Sequence, residues 1–195
     1  KYADRLFSSL GIPTFCCPGN HDSLQVMLEE YNPSFFKVLP QSCIIDGWNL
    51  ILLNSVIQDD EDPNQNKARG FLSEASLNYM IQKLEEGFPS IIALHHPPLE
   101  PGGWLNRKLL DNRDDFNKII SLYDNVKLVI YGHIHYFTNV LKGHVRYCSS
   151  SSVGFAFDKD LPKFQIADGY EGINLIEIIN DSITINNIQL SFRSN

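Results

Sequence analysis

The sequence lacks the features that would place the protein in a membrane, in a secretory pathway or on a nucleic acid. No stretch of its 195 residues approaches the roughly 20 consecutive apolar residues of a membrane span. The first residues, "KYADRLFSSLGIP", lack the apolar core of a secretory signal. The formal net charge is −7, and no run of Lys and Arg occurs that could form a nucleic-acid groove. These absences predict a cytoplasmic protein with no membrane span and no nucleic-acid groove.

Cysteine is also scarce. The chain has four cysteines, and none of them forms a C-x-x-C pair. Cys16 and Cys17 are adjacent within an apolar run, so we expect small buried side chains rather than a zinc cluster or a disulfide framework. This usage fits a reducing, cytosolic compartment.

Length and apolar content predict one globular domain over residues 1–195. Three segments carry apolar residues at the i, i+3, i+4, i+7 spacing of helices that cover a sheet. The three stripes are Leu24, Met27, Leu28 and Tyr31 after Ser23, a good N-cap; Leu77, Met80, Ile81 and Leu84 after Ser73, ending at Gly87; and Phe116, Ile119, Ile120 and Tyr123 after Asp111 and Asn112.

Short apolar runs between the helices predict strands. "IPTFCC", "SIIAL" and "KLVIY" are apolar on both faces, as in strands buried between two layers. Residues 42–56 and 173–190 are predicted to be β-hairpins that turn near Asp46-Gly47 and Asn180-Asp181. The C-terminal hairpin is also a candidate element of a homodimer. Strand and helix therefore alternate, and the predicted fold class is α/β.

Polar clusters follow the three apolar strands directly. They are "PGNHD" at 18–22, "HHPP" at 95–98 and "GHIH" at 132–135, and they hold five of the six histidines. Alone, each of the first two clusters is more typical of a turn than of a site, whereas an H-x-H pair favours metal binding only modestly. Because sites in sandwiched α/β sheets form beyond the carboxyl ends of strands, we expect three neighbouring strands to bring the three clusters together. An extended backbone would point His133 and His135 in the same direction, towards one metal-binding pocket.

These clusters resemble the later motifs of the calcineurin-like metallophosphoesterases. "GFLSEASLNYMIQKLEE", "HHPPLEPGGWLN" and the serine run after the third strand resemble the cyclic-AMP phosphodiesterase (Icc or CpdA-like) branch. The resemblance implies a four-layer αββα sandwich of two mixed sheets. It also implies hydrolysis of a small phosphodiester, with a 3′,5′-cyclic nucleotide such as cAMP as the favoured substrate, by attack of a hydroxide that bridges two metal ions. Two such cations neutralise the phosphate, and a mixed nitrogen and oxygen ligand set suits manganese, iron or zinc.

The resemblance also assigns ligands to the two metal positions. Asn20, His95 and His133 would bind the second metal, and His135 would bind the first.

Other residues take roles around the substrate. His21 would stabilise charge on the phosphate or protonate the leaving oxygen, and Asp22 would orient His21. His96 is expected at the pocket wall or beside the substrate. Trp104 could stack on a nucleobase or could equally cap the core.

The sequence departs from the family in one respect. It contains no Asp-x-His and no Gly-Asp, the motifs that open the family pattern and supply the bridging carboxylate. The simplest interpretation is that the N-terminal strands are missing, at least one β-α-β unit of about 30 residues. The second metal site would then be largely retained and the first mostly missing, so we expect weak metal binding and weak or no hydrolysis. The alternatives are a phosphoesterase for glycerophosphodiesters or phosphomonoesters, or a non-catalytic homologue.

Overall fold

The computed structural model describes residues 2–30, 36–37, 41–56, 68–167 and 170–190. The helices are α1 (Tyr2–Ser8), α2 (Leu24–Glu30), α3 (Glu74–Leu84) and α4 (Arg113–Ile120), with a 3-10 helix at Gly103–Arg107. The strands are β1 (Thr14–Phe15), β2 (Phe36–Lys37), β3 (Gln41–Ile45), β4 (Trp48–Leu52), β5 (Ser90–Leu94), β6 (Val126–Tyr131), β7 (Thr138–Lys142), β8 (Val145–Ser149), β9 (Ala156–Phe157), β10 (Ile166–Ala167), β11 (Gly172–Ile179) and β12 (Ser182–Gln189).

A six-stranded mixed sheet forms the centre of the fold, in the order β3-β4-β5-β6-β8-β7. The four inner strands are parallel, and the edge strands β3 and β7 pair antiparallel to their neighbours. The predicted α/β class with a mixed sheet is therefore confirmed. Parallel strands end at the same edge, so β5 and β6 deliver the residues that follow them to neighbouring positions.

The remaining described strands form three two-stranded pairs, β1-β2, β9-β10 and β11-β12. The strand that leads into "PGNHD" was expected beside the other two site strands. Instead, β1 pairs in parallel with β2 outside the six-stranded sheet, although the Cys17 thiol still donates to the Ala93 carbonyl of β5 at 3.4 Å. The loop after β1 therefore reaches the sheet edge through side-chain contacts rather than through strand pairing.

Helices α3 and α4 bury their apolar stripes in the core, as their periodicity predicts. Met80 and Leu84 of α3, together with Phe116 and Ile120 of α4, are almost completely buried. The Ser73 hydroxyl caps α3 by accepting a hydrogen bond from the Ser76 amide at 3.1 Å.

Asn112 precedes α4 but does not cap it. Its side chain instead accepts from the Leu72 amide at 3.0 Å and donates to the Leu72 carbonyl at 2.8 Å. Asn112 therefore fixes the segment before α3 against the start of α4.

Helix α2 forms after Ser23, but its stripe is not buried as predicted. Met27 is buried, whereas Leu28 is 59% exposed, and Tyr31 lies outside the described residues. The helical period therefore identified the helix and its buried Met27, but Leu28 of the same stripe faces solvent.

The β11-β12 hairpin lies beside the carboxyl end of β8 and turns at Asn180 and Asp181, both with positive φ. The Asn174 amide group donates to the Ser149 carbonyl at 3.0 Å, and the Gly172 amide donates to the Ser152 carbonyl at 3.1 Å. A cavity of about 520 Å³ separates the hairpin from β4 and β5. Within the described ranges, no helix has the length and apolar character needed to cross a membrane.

Candidate metal centre

Three ligand atoms converge where the predicted clusters meet. Asn20 Oδ1 lies 3.0 Å from both His95 Nε2 and His133 Nδ1, and these two nitrogens are 2.9 Å apart. The residues come from three separate parts of the chain: the loop after β1, the end of β5 and the turn after β6. The structure therefore brings together the three residues expected to bind the second metal.

Close backbone approaches hold the ligands in place. The Gly132 amide donates to the His95 carbonyl at 3.0 Å, which ties the exits of β5 and β6 together. A Cβ added at Gly19 would lie 3.0 Å from His95 Cε1, closer than side chains normally approach. A glycine before Asn20 therefore lets that loop lie directly against the imidazole.

Hydrogen bonds to carbonyls determine which nitrogen His133 and His135 offer. His133 Nε2 lies 2.9 Å from the Ala68 carbonyl, so Nε2 carries the proton and Nδ1 keeps its lone pair. His135 has the opposite arrangement, because its Nδ1 donates to the Phe155 carbonyl at 3.0 Å. His135 therefore keeps its lone pair on Nε2. A carbonyl behind a metal-binding histidine fixes its tautomer and orientation in this way.

The sequence suggested an extended backbone at these two histidines, but the structure shows a different conformation. His133 has φ of 68° and His135 has φ of 47°, both in the left-handed region that is uncommon for residues other than glycine. Ile134 between them is fully buried, and its amide donates to the Gly132 carbonyl at 2.8 Å. The prediction of two parallel imidazoles on a strand is therefore wrong; a tight turn directs each ring separately.

His135 lies beside the three converging ligands rather than among them. Its ring stacks on Phe157 with centroids 4.6 Å apart and planes 8° from parallel. Among the described residues, the group of His, Cys, Asp and Glu side chains close enough to hold one ion consists of His95, His96 and His133. His135 lies outside that group.

His96 forms a wall of the site. It is completely buried, its Nδ1 lies 2.9 Å from Ser55 Oγ, and its backbone amide donates to the same oxygen at 3.1 Å. Gly70 lies against the ring, and a Cβ added there would be 2.6 Å from His96 Cβ. Ser55 and Ala68 lie outside every motif quoted from the sequence, and Gly70 opens the "GFLSEASLNYMIQKLEE" segment, where nothing in the local sequence indicates its contact with His96.

Burial keeps the clustered imidazoles neutral. It is the main cause that lowers the pKa of His95 to about 3, and the neighbouring His96 and His135 lower it further. Burial likewise lowers the pKa of His133 to about 2, with His95 as the next cause. Both rings therefore have lone pairs at neutral pH, as metal ligation requires. A neutral amide oxygen and two neutral imidazoles fit a borderline divalent metal.

The residues expected near the phosphate are arranged differently from expectation. His21 is exposed beside the site. Asp22, which was expected to orient His21, instead accepts a hydrogen bond from the Gly19 amide at 2.8 Å, and none joins it to His21 among the described contacts. The Asp22 carboxylate therefore shapes the loop that presents Asn20.

Trp104 is half-buried and forms part of an aromatic cluster. Its indole N–H donates to the Asp158 carbonyl at 2.8 Å, and its ring packs edge-on against Phe157 and Phe164 at 5.2 and 5.8 Å. These contacts favour the core-capping alternative for Trp104.

Comparison with known proteins places the chain in a family. A family model described as calcineurin-like phosphoesterase matches residues 1–137. A 3′,5′-cyclic-nucleotide phosphodiesterase of Nostoc sp. is 33% identical over 177 residues, which cover 89% of this chain and 64% of that protein. The cyclic adenosine monophosphate phosphodiesterase CpdA of Escherichia coli is 28% identical over 131 residues, which cover 66% of this chain and 45% of that protein. The chain thus spans less than two thirds of either relative's length.

A dimetal phosphatase from Danio rerio shares the fold. The TM-score is 0.64 at 12% identity, and the match covers 92% of this chain and 70% of the other. The family motifs quoted from the sequence are the segments that converge in the structure. On the family match and the Nostoc relative, the chain belongs to the calcineurin-like phosphoesterase family.

Proposed function

We propose that this site binds divalent metal and acts on small phosphodiesters in the cytoplasm, with a 3′,5′-cyclic nucleotide as the favoured substrate. The observation that carries the proposal is the triangle of Asn20 Oδ1, His95 Nε2 and His133 Nδ1, with sides of 2.9 to 3.0 Å. The names of the Nostoc and Escherichia coli relatives support the choice of substrate. Manganese, iron and zinc suit the ligand set.

Each residue then has a defined task. Asn20, His95 and His133 hold one ion, and His135 offers Nε2 to a second. When bound, such ions neutralise the phosphate and lower the pKa of water. His21 is exposed beside the site, and its imidazole would donate a proton to the departing oxygen. The carbonyls of Ala68 and Phe155 keep the ligand nitrogens of His133 and His135 unprotonated.

Activity of this chain should be weak. The ligand triangle is formed by neutral groups, and neither Asp-x-His nor Gly-Asp occurs in the sequence to add the carboxylates of the family pattern. Without an anionic ligand, the site gains less electrostatic attraction for a dication.

Metal binding gives the most direct test. Manganese binding to the chain, followed by electron paramagnetic resonance, should weaken by at least about tenfold in His95→Asn and in His133→Asn. His144→Asn is the matched control, because His144 is exposed and donates to the Tyr123 carbonyl away from the site. Equal manganese affinity in all four proteins would reject the metal centre.

Turnover then tests the reaction and its substrate. With manganese we expect slow hydrolysis of cyclic AMP and of bis-p-nitrophenyl phosphate, a slower reaction with p-nitrophenyl phosphate, and loss of all three in His133→Asn. Faster turnover of the monoester would favour a phosphomonoesterase instead.

The absent carboxylate motifs favour a second candidate, a non-catalytic homologue that retains the metal site. It predicts manganese binding that depends on His95 and His133, with no hydrolysis of any of the three compounds.

A further inference from the structure

Lys108 stands next to the metal centre, where neither a sequence motif nor the ligand geometry assigns it a task. It directly follows the 3-10 helix Gly103–Arg107, and its side chain is half-buried. The ammonium nitrogen lies 5.9 Å from the centre of the Trp104 ring and 5.7 Å from the centre of the Phe157 ring. Phe157 in turn stacks on His135. One aromatic ring therefore links the Lys108 ammonium to a predicted metal ligand.

The aromatic rings that neighbour Lys108 are themselves held in place. The Trp104 indole donates to the Asp158 carbonyl at 2.8 Å, and the Phe157 amide donates to the His135 carbonyl at 3.0 Å. The lysine stem thus lies on a supported aromatic surface. Such a surface limits the positions that the ammonium can reach.

Among the described residues, no carboxylate pairs with Lys108, which is half-buried, whereas the neighbouring unpaired Arg107 is exposed. Lys159 pairs with Asp160, Arg113 with Glu100, and Arg69 with Asp111. Burial lowers the pKa of Lys108, because no anion offsets the loss of water. In a chain of net charge −7, an unpaired and half-buried cation marks a place where an anion would be stabilised.

The positive charge of Lys108 has an electrostatic effect on the histidines of the site. Burial is the main cause of the lowered pKa values of His95, His133 and His135, and the charge of Lys108 lowers all three further. The charge of Lys108 is therefore felt at the rings that line the site.

We infer that Lys108 is the anion-binding residue of the site and contacts the non-bridging oxygens of a substrate phosphate. The inference rests on the proposed function for the identity of the substrate, and on the aromatic contacts and the missing carboxylate partner for the role of the lysine. A lysine suits this role because its ammonium is a compact charge that can meet a phosphate oxygen from several directions.

Inorganic phosphate is the probe that tests this role without requiring turnover. Reductively methylated, carbon-13-labelled lysines would be followed by nuclear magnetic resonance in the zinc-loaded chain and in the chelator-treated chain. The Lys108 signal is assigned as the one that is missing from the spectrum of Lys108→Met. In the parent chain, this signal should shift when phosphate is added. Lys108→Met should weaken phosphate binding by about tenfold or more, whereas Lys108→Arg should keep most of it. Methionine preserves much of the apolar stem over the rings.

Lys142→Met is the control, because Lys142 is an exposed residue of β7. Its signal should stay fixed and its loss should leave phosphate binding unchanged. Phosphate binding that is equal in Lys108→Met and in the parent chain would overturn the inference, as would a parent chain that binds no phosphate. Phosphate binding through Lys108 without hydrolysis of any phosphodiester would count against the proposed function alone. Hydrolysis with an unchanged KM in Lys108→Met would count against the role of Lys108 alone.

Discussion

Replacing Gly70 with alanine should disturb the wall of the metal centre. The new Cβ would lie 2.6 Å from His96 Cβ and closer still to the ring atoms Cγ and Nδ1. The ring cannot move aside easily, because it is fully buried and Ser55 Oγ holds its Nδ1 at 2.9 Å. The Gly70 backbone is also fixed, since its amide donates to Leu109 and its carbonyl accepts from Asp111.

The size of the effect follows from this double constraint. Overpacking a rigid interior costs about 1–3 kcal/mol, and contact with the base of a fixed ring places Gly70→Ala near about 3 kcal/mol. For a chain of this length, that loss lowers the melting temperature by about 6–12 °C. Urea unfolding followed by circular dichroism measures the change in the free energy of unfolding. Gly154→Ala is the control, because a Cβ there would meet only Ser152 Oγ at 3.8 Å.

A double-mutant cycle identifies the contact responsible. His96→Gly removes both the ring and the Cβ that the new methyl group would strike, so the two substitutions together should destabilise less than the sum of the single effects, by at least about 1 kcal/mol. Metal affinity should fall in Gly70→Ala as well, because the His96 and His133 ring centres are 4.6 Å apart. A Gly70→Ala protein as stable as the parent, or strictly additive effects, would refute the reasoning.

Other substitutions and conditions test the pKa values, a helix cap and a thiol. In the metal-free chain, the free energy of unfolding should fall as pH drops from 6.5 towards about 3, by up to about 1.4 kcal/mol per pH unit for each histidine. The reason is that unfolded His95 and His133 take up protons near pH 6.5, whereas their folded pKa values are about 3 and about 2. Urea titrations that show a constant free energy of unfolding between about pH 6.5 and about pH 5 would contradict this. Ser73→Ala should lower the free energy of unfolding by about 1 kcal/mol through loss of the α3 cap, and an unchanged urea midpoint would argue against the cap. Burial raises the pKa of Cys17 to about 12, so iodoacetamide should modify Cys17 far more slowly in the folded chain than in urea, as mass spectrometry of the peptides would reveal.

The sequence predicted those features that depend on local pattern. The apolar period identified α3 and α4, and the Asp46-Gly47 pair located the turn between β3 and β4, where both residues have positive φ. The meeting of three polar clusters followed from one rule about the carboxyl ends of strands, and Asn20, His95 and His133 do meet.

Features that depend on contacts between distant segments could not be predicted. Ser55 supports His96 across 41 positions, and Ala68 fixes the tautomer of His133 across 65. Nothing in the local sequence distinguishes these residues from ordinary loop residues. The turn after β6 was misjudged for a different reason: the spacing of His133 and His135 fits an extended strand equally well, and only tertiary packing around Ile134 selects the turn.

At His133 and His135, the side chain that suits metal binding is not the one that suits a left-handed backbone. Each residue holds a conformation that costs an ordinary side chain about 1 kcal/mol and glycine almost nothing. A library screened only for heat resistance would therefore drift towards glycine at both places and discard the imidazoles. Retention of histidine there under such a screen would indicate that an ion, once captured, contributes more to the native state than the relaxed turn would.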